Sequence, residues 1–264
     1  MESFLADLHI HSRHSRATSK GLTPRCLAAW GEIKGLCVVA TGDFTHPGWL
    51  AELKDALVPD EAGLLRLADT SGLGQEIPWL PETRFAGTTR FLLSAEISSI
   101  YKRGGKVRKV HNLLYAPTFE AAERLNAKLA KIGNLVSDGR PILGLDSRHL
   151  LELTLETDPL CFLVPAHIWT PWFSLFGSKS GFDSIEECFG SLAREIFAME
   201  TGLSSDPDMN WTLSALDRIR LISNSDAHSG EKLGRESNRF TGPASYQGIF
   251  DALRGKAGET AFAG

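Results

Sequence analysis

The sequence predicts an α/β protein, in its simplest form a parallel α/β barrel with a metal cluster in its mouth. Three observations predict it. Short apolar, strand-like runs alternate with amphipathic helical stretches. Residues of metal-ligand type stand mostly at the C-terminal ends of those runs, and in a parallel barrel these ends share the face where active sites lie. The length, 264 residues, suits one such barrel. A hydrophobic fraction of 42% and a charged fraction of 23% place the chain among globular rather than disordered sequences.

The elements follow in order. The first run, 4–10, carries Asp7-Leu8-His9-Ile10-His11. Residues i and i+2 of a strand point to one side, so His9 and His11 can grip one ion together. Asp7 faces the same way, as a further ligand or as a group that orients an imidazole. Thr23-Pro24 reads as an N-cap with proline at the first helical position, and that helix runs to Lys34 and stops at Gly35. A short strand over 36–40 ends near Asp43, and a second helix covers 49–57. Residues 58–84, rich in Gly, Pro and charge, read as a long excursion. A strand over 91–95 ends at Glu96, and one over 110–115 carries His111. Thr118 caps a helix with apolar spacing Phe119, Ala122, Leu125, Leu129, Ile132, closed by Gly133. Strands over 161–164, 196–199 and 219–223 end at His167, at Glu200 and at Asp226-Ala227-His228. His149 belongs to a helix begun near Asp146. His14 and His149 carry no assigned role, and neither do Glu200, Asp206 and Asp208, which share the predicted face.

Bulk properties narrow the function. A net charge of -4 argues against tight, non-specific nucleic-acid binding driven by overall charge, though not against a local basic site. No apolar run reaches the roughly 18 residues needed to span a bilayer. Glu2 and Asp7 replace the basic, then apolar, pattern of a signal peptide, so a cytoplasmic protein without membrane partners is expected. Cys26, Cys37, Cys161 and Cys188 form no Cys-x-x-Cys and read as reduced and structural.

The candidate metal ligands are His9, His11, Asp43, His46, Glu96, His111, His167, Asp226 and His228. Imidazoles mixed with carboxylates suit zinc, manganese or iron(II) better than magnesium or calcium, which favour all-oxygen shells. Nine candidates are too many for one tetrahedral ion. Two or three divalent ions fit, with Glu96 bridging, and magnesium is retained as an allowed identity. Ions about 4 Å apart clamp a phosphoryl oxygen, so the expected chemistry is phosphoester hydrolysis, with Asp226, Glu96 and His228 as the catalytic set. Asp43 and His46 lie in a Gly-Asp-Phe-Thr-His-Pro turn, where an Asp also bonds backbone. Between two candidate ligands, Lys102, Arg103, Lys106, Arg108 and Lys109 flank a Gly-Gly tip and read as a basic hairpin for a phosphate backbone. After His167 come Trp169, Trp172 and Phe173, which either pack as a satellite core or stack an extruded base.

This ordered set of motifs resembles the PHP (polymerase and histidinol phosphatase) superfamily, and within it endonuclease Q. The likeness runs through ADLHIHSRHSRATSK, TGDFTHPGWL, YKRGGKVRKVHNL, PAHIWTPWFSLFGSKSGFDS, METGLSSDPDMNW and SNSDAHSGEKLGRESN. The resemblance implies a distorted seven-stranded (β/α)7 barrel over residues 1–264, a single PHP metallohydrolase domain. It carries His9, His11, Asp43, Glu96, His111, His167, Asp226 and His228 onto the superfamily's motif positions. It implies a repair endonuclease cutting DNA 5′ to a deaminated base (hypoxanthine or uracil) or an abasic site. The alternative is a PHP-type phosphatase acting on small phosphomonoesters such as histidinol phosphate or nucleotides. Phe44 stands where many PHP enzymes have His after the Asp of the second motif, with His46 two positions on. The cysteine-containing zinc module and helical region of endonuclease Q have no counterpart before Gly264. No Gly-x-x-x-x-Gly-Lys-[Ser/Thr] occurs, so ATP-driven unwinding is not expected.

Overall fold

The computed structural model describes residues 2–77, 79–80 and 84–264. Strand β1 (Ser3–Asp7) leads to helix α1 (Pro24–Ile33), where the Thr23 hydroxyl accepts the Cys26 N–H and Pro24 opens the first turn, as the sequence predicts. After β2 (Val38–Ala40), α2 (Pro47–Ala56) begins two residues before its expected start, because Pro47 sits in the first turn and the His46 ring caps it. The excursion over 58–84 contains a small antiparallel pair, β3 (Leu57–Pro59) with β4 (Leu65–Leu67). Positions 78 and 81–83 of that stretch lie outside the described residues.

The largest departure from expectation is the hairpin. Strand β5 (Arg90–Arg103) runs well past Glu96, and β6 (Lys106–Ala116) returns antiparallel. Gly104 and Gly105 both take positive φ (59° and 73°), the conformation a two-residue turn between twisted strands requires. Glu96 is therefore a mid-strand residue rather than a strand end, and His111 lies within a strand, as expected. The remaining elements are α3 (Phe119–Leu129), β7 (Ile142–Leu143), α4 (Ser147–Leu155), β8 (Phe162–Pro165), α5 (Ile185–Phe189), β9 (Ala198–Thr201), α6 (Pro207–Trp211), β10 (Arg220–Ser223), β11 (Asn238–Thr241), α7 (Tyr246–Leu253) and β12 (Ala261–Phe262). Asp146 caps α4, so His149 lies in the helix expected there.

The architecture is a mixed α/β fold built on a large, mostly open sheet. Pairs β1–β2, β2–β5 and β9–β10 are parallel, whereas β5–β6 and β6–β8 are antiparallel. The expected seven-stranded barrel is not a closed ladder. Among the described residues, ten strands form one sheet and β9–β10 a separate pair. Two seams flank that pair, and at both a side chain takes backbone partners that a ladder would pair. At one, past Pro165 with its missing N–H, the Glu200 carboxylate accepts the His167 N–H at 2.9 Å. At the other, the Asn224 side-chain oxygen accepts the Leu8 N–H at 2.8 Å, and Ile10–Ala227 is a lone bridge.

Apolar side chains collect in two clusters. The larger joins α1, α3 and α4 to the sheet. The smaller draws alternate residues Phe4 and Ala6, Leu113 and Tyr115, and Phe162 and Val164 from three strands, closed by α7. Tyr115 and Phe162 stack at 4.4 Å, and the Tyr115 hydroxyl donates to the Leu8 carbonyl. No helix among the described residues is long and apolar enough to cross a membrane.

All four cysteines are free. Burial pushes the thiols of Cys26, Cys161 and Cys188 up to about 11, 12 and 12, and raises that of Cys37. The thiolate is the reactive form. At about pH 8, a maleimide is expected to leave the native chain nearly unlabelled and to label all four cysteines once guanidinium unfolds it, read by intact mass. Rapid native labelling of Cys161 or Cys188 would contradict this packing.

Candidate metal centre

Five pieces of backbone converge on one buried point. The extended segment beyond β1 presents His9 and His11 to the same side, with ring centroids 5.3 Å apart. In the β5–β6 hairpin Glu96 pairs with Leu113 and Ser98 with His111, so Glu96 and His111 are diagonal neighbours on one face. A one-residue slip at the Gly-Gly turn would send His111 to the other face. His167 follows β8 and Asp226 follows β10, and both take left-handed backbone conformations (φ 29° and 47°). Such conformations in non-glycine residues cost on the order of 1–3 kcal/mol each and persist where the surroundings hold them. Residues 136–141 bring the fifth group, Arg140.

Glu96 is the centre. Its Oε1 lies 2.7 Å from His111 Nδ1 and 3.2 Å from His167 Nε2. Its Oε2 lies 3.3 Å from His11 Nε2, 3.8 Å from His9 Nε2 and 3.2 Å from Arg140 Nη1. Asp226 Oδ1 stands 3.1 Å from His11 Nε2 and 3.6 Å from His9 Nε2. The potential ligand atoms fall into three overlapping groups: His9, His11 and Glu96; His11, Asp226 and His228; and Glu96, His111 and His167.

The outer ring nitrogens are anchored, which sets the tautomers. His9 Nδ1 donates to Glu200 at 2.9 Å, His11 Nδ1 to Asp43 at 3.1 Å, and His228 Nδ1 to the Asp226 carbonyl at 2.9 Å. Each Nε2 is left to face the cluster, the usual support for a metal-binding imidazole. His9 Nε2, His11 Nε2 and Asp226 Oδ1 are buried, face one another at 3.1–3.6 Å and make no well-formed hydrogen bond among the described residues. Buried polar atoms are normally satisfied. Three orphans converging from imidazole and carboxylate are what a divalent cation would complete, so the residues fit the metal centre their types suggest.

The charges agree. Burial disfavours the imidazolium of His9, but Glu200 and Asp226 outweigh it and hold its pKa well above the ordinary value. Burial is likewise overcome at His11, by Asp43 and Asp226. Burial would raise the Glu96 pKa, but His111 and Arg140 hold it well below the usual carboxylate range. Burial pushes His111 down to about 4 against the pull of Glu96, so it is a neutral imidazole at pH 7. Without a metal, protons on His9 and His11 balance the carboxylates.

No protein-family model matches the chain. An uncharacterized Bacillus subtilis protein, YqxK, is 31% identical over 97% of this chain and 63% of its own length. The lesion-specific endonuclease PfuEndoQ from Pyrococcus furiosus superposes with a TM-score of 0.81 at 32% identity, over 99% of this chain and 58% of that one. Endonuclease Q bound to a 27-mer duplex with an abasic lesion superposes with a TM-score of 0.80 at 32% identity, over 98% and 58% of the two chains. The chain is similar to endonuclease Q over nearly its whole length, and it spans about three-fifths of the length of these relatives.

Of the residues nominated from sequence, the chain brings His9, His11, Glu96, His111, His167, Asp226 and His228 together. Asp43 is buried behind His11. Its oxygens accept from His11 Nδ1, from the Ser12 N–H and hydroxyl at 2.7 Å each, and from the Ser15 hydroxyl at 2.8 Å. His46 lies apart from the cluster: Nδ1 caps α2, and Nε2 donates to the Val136 carbonyl at 3.0 Å. Asp7 points away as well, accepting the N–H groups of Ser225 and Gly234. Asp206 caps α6.

The nominated basic and aromatic residues divide. Arg103 donates to the Cys188 carbonyl at 2.7 Å, and Arg108 donates to the Gly181 carbonyl and lies over Phe182. Lys102 and Lys106 are exposed, and Lys109 sits over the rings of Trp172 and Phe173. Trp169 is tied to Asn210 and stacks on Phe176, Phe173 covers His111, and Trp172 is 51% exposed. Lys106, Lys109, Trp172 and Lys179 line a cavity of about 590 Å³. Sequence reasoning missed two groups. Glu200 occupies a strand-end position like those of His167 and Asp226, a signal that was present. Arg140 lies in Asp-Gly-Arg-Pro, which marks only a turn.

Replacing Glu200 with Gln is expected to lower divalent-metal affinity about 10- to 100-fold, by freeing the His9 ring while the chain stays folded. Titration of metal-free protein with zinc, checked by circular dichroism, measures this. A metal must displace the protons held on His9 and His11. Zinc affinity is therefore expected to rise from about pH 6 to about pH 8, with proton release visible as a buffer-dependent calorimetric enthalpy. A pH-independent affinity would show that these imidazoles do not take the metal.

Proposed function

We propose that this chain is a metal-dependent phosphoesterase, and more narrowly an endonuclease that cuts DNA 5′ to a deaminated base or an abasic site. The observation that carries the reading is Glu96, one buried carboxylate shared by two histidine groups. The 32% identity to endonuclease Q over nearly the whole chain supports the narrower form. In this reading residues 1–264 act as one cytoplasmic domain.

His9, His11, Glu96, His111, His167 and Asp226 would hold two divalent ions, with His228 completing the shell or serving a third. The imidazole-rich set favours zinc, manganese or iron, and magnesium remains allowed. Such ions, when bound, supply Lewis acidity and a water acidic enough to attack phosphorus at neutral pH. Asp43 and Glu200 fix the rings of His11 and His9. Asp226 and His228, with side chains 21% and 27% exposed, form the open side of the cluster. There His228 Nε2 is placed to take or return a proton, because Nδ1 is committed to the Asp226 carbonyl. Lys102, Lys106 and Lys109 would hold backbone phosphates, and Trp172 would stack an extruded base. Arg103, Arg108 and Trp169 serve chiefly to build this surface.

The test is a duplex with one deoxyuridine or deoxyinosine, incubated with manganese or magnesium. A nick on the 5′ side of the lesion is expected. An intact duplex with metal shown to be bound would overturn the endonuclease reading, and phosphate release from monoesters alongside it would favour the phosphatase alternative. Lys102→Ala with Lys106→Ala is expected to weaken DNA binding and lower the salt dependence of log K by about one unit per lysine, leaving metal content unchanged.

A further inference from the structure

Arg140 is the one arginine or lysine among the described residues that bonds a side chain of the cluster. Its guanidinium has five donors. Among the described residues its side chain makes one hydrogen bond, from Nη1 to Glu96 Oε2 at 3.2 Å. Its side chain is 29% exposed, comparable with Asp226 and His228 and unlike the buried Glu96. It therefore stands at the partly open side of the cluster, with donors beyond the one that meets Glu96.

The backbone beneath Arg140 is held by hydrogen bonds on both sides of it. The Val136 carbonyl accepts from His46 Nε2 at 3.0 Å. Asp138 accepts the Arg16 and Arg140 N–H groups through one oxygen, at 3.3 and 3.0 Å. The Gly139 N–H donates to the His14 carbonyl at 3.0 Å, and the Pro141 carbonyl accepts the Ser98 N–H at 3.0 Å. Gly139 lies so close to the His11 support that a Cβ there would come within 2.4 Å of Asp43 Oδ2 and 2.5 Å of Ser15 Oγ. A cation needed only to neutralise Glu96 requires no such platform. A cation that must meet a ligand in one orientation does.

We infer that Arg140 grips the non-bridging oxygens of the phosphate group that the cluster acts on, its planar fork leaning on Glu96 while its free donors face the incoming anion. Arginine suits this because it presents paired N–H groups matched to phosphate and cannot serve as a metal ligand itself. The geometry also supplies order: the same residue touches the central carboxylate and the open side, so substrate phosphate is drawn to the face lined by Asp226 and His228. The inference rests on the phosphoesterase reading, and the test separates the two.

The unaltered chain, Arg140→Ala and Arg140→Lys are each loaded with manganese. Bound metal per chain, the affinity for inorganic phosphate by calorimetry, and kcat and KM for nicking are measured. Metal content is expected to stay constant across the three. Phosphate affinity is expected to fall about tenfold or more in Arg140→Ala and less in Arg140→Lys. Where nicking occurs, kcat/KM is expected to fall about a hundredfold in Arg140→Ala. Unchanged phosphate affinity in Arg140→Ala overturns the assignment. So does a loss of bound metal, which would make Arg140 a support for Glu96 alone. Phosphate binding that depends on Arg140 in a chain that cuts no DNA sustains the grip and removes the endonuclease reading.

Discussion

A carboxylate almost without access to water sits at the middle of this protein, and everything around it answers to its charge. A buried ion is costly unless it is paired and its lone pairs are filled. Glu96 meets that condition only because four stretches distant in sequence arrive together: the segment after β1, the returning strand β6, the residue after β8 and the 136–141 loop. Each brings donors. None is placed by local preference alone, since His167 and Asp226 reach the site through backbone conformations that their residue types rarely adopt. The folded chain holds a preformed anionic and imidazole shell, and protons stand in it wherever a cation does not.

Much of that shell was legible because period-2 alternation is a hard geometric rule. Asp-x-His-x-His and Asp-x-His after apolar runs commit side chains to one face whatever the surrounding fold. The hairpin was legible from Gly-Gly between two apolar strands, and the helix starts from Thr-Pro and Thr118. Its consequence was not legible. Nothing in the 91–115 stretch says where the first strand stops, so Glu96 reads as a strand end rather than as the diagonal partner of His111. The outer anchors were hidden for a different reason. Asp43 and Glu200 are carboxylates near strand ends, as Asp226 is, and only the third dimension shows which touch the cluster and which stand one residue behind it.

The basic ribbon shows the same limit from the surface. Composition registers five cations in eight positions. It cannot register that Arg103 and Arg108 spend their donors on the carbonyls of Cys188 and Gly181, or that Lys109 lies over aromatic rings. Charge counts predict long-range attraction well, because it depends on sign and distance. They predict contact poorly, because contact depends on which donors are still free. The seven-stranded barrel met a similar fate: strand number is a sequence property, whereas closure depends on backbone partners that Glu200 and Asn224 take with their side chains.

Those two side chains give the seams a second meaning. Glu200 joins the β9–β10 pair to the rest of the molecule and, with the same carboxylate, fixes His9. Asn224 donates to that carboxylate and receives Leu8, the residue before His9. Where a ladder would join strands through interchangeable peptide groups alone, here the few backbone bonds at the seams, Ile168 N–H to the Glu200 carbonyl and His11 N–H to the Ala227 carbonyl, are supplemented by two side chains that also face the chemistry. A change at either joint therefore reaches the reactive centre as well as the architecture.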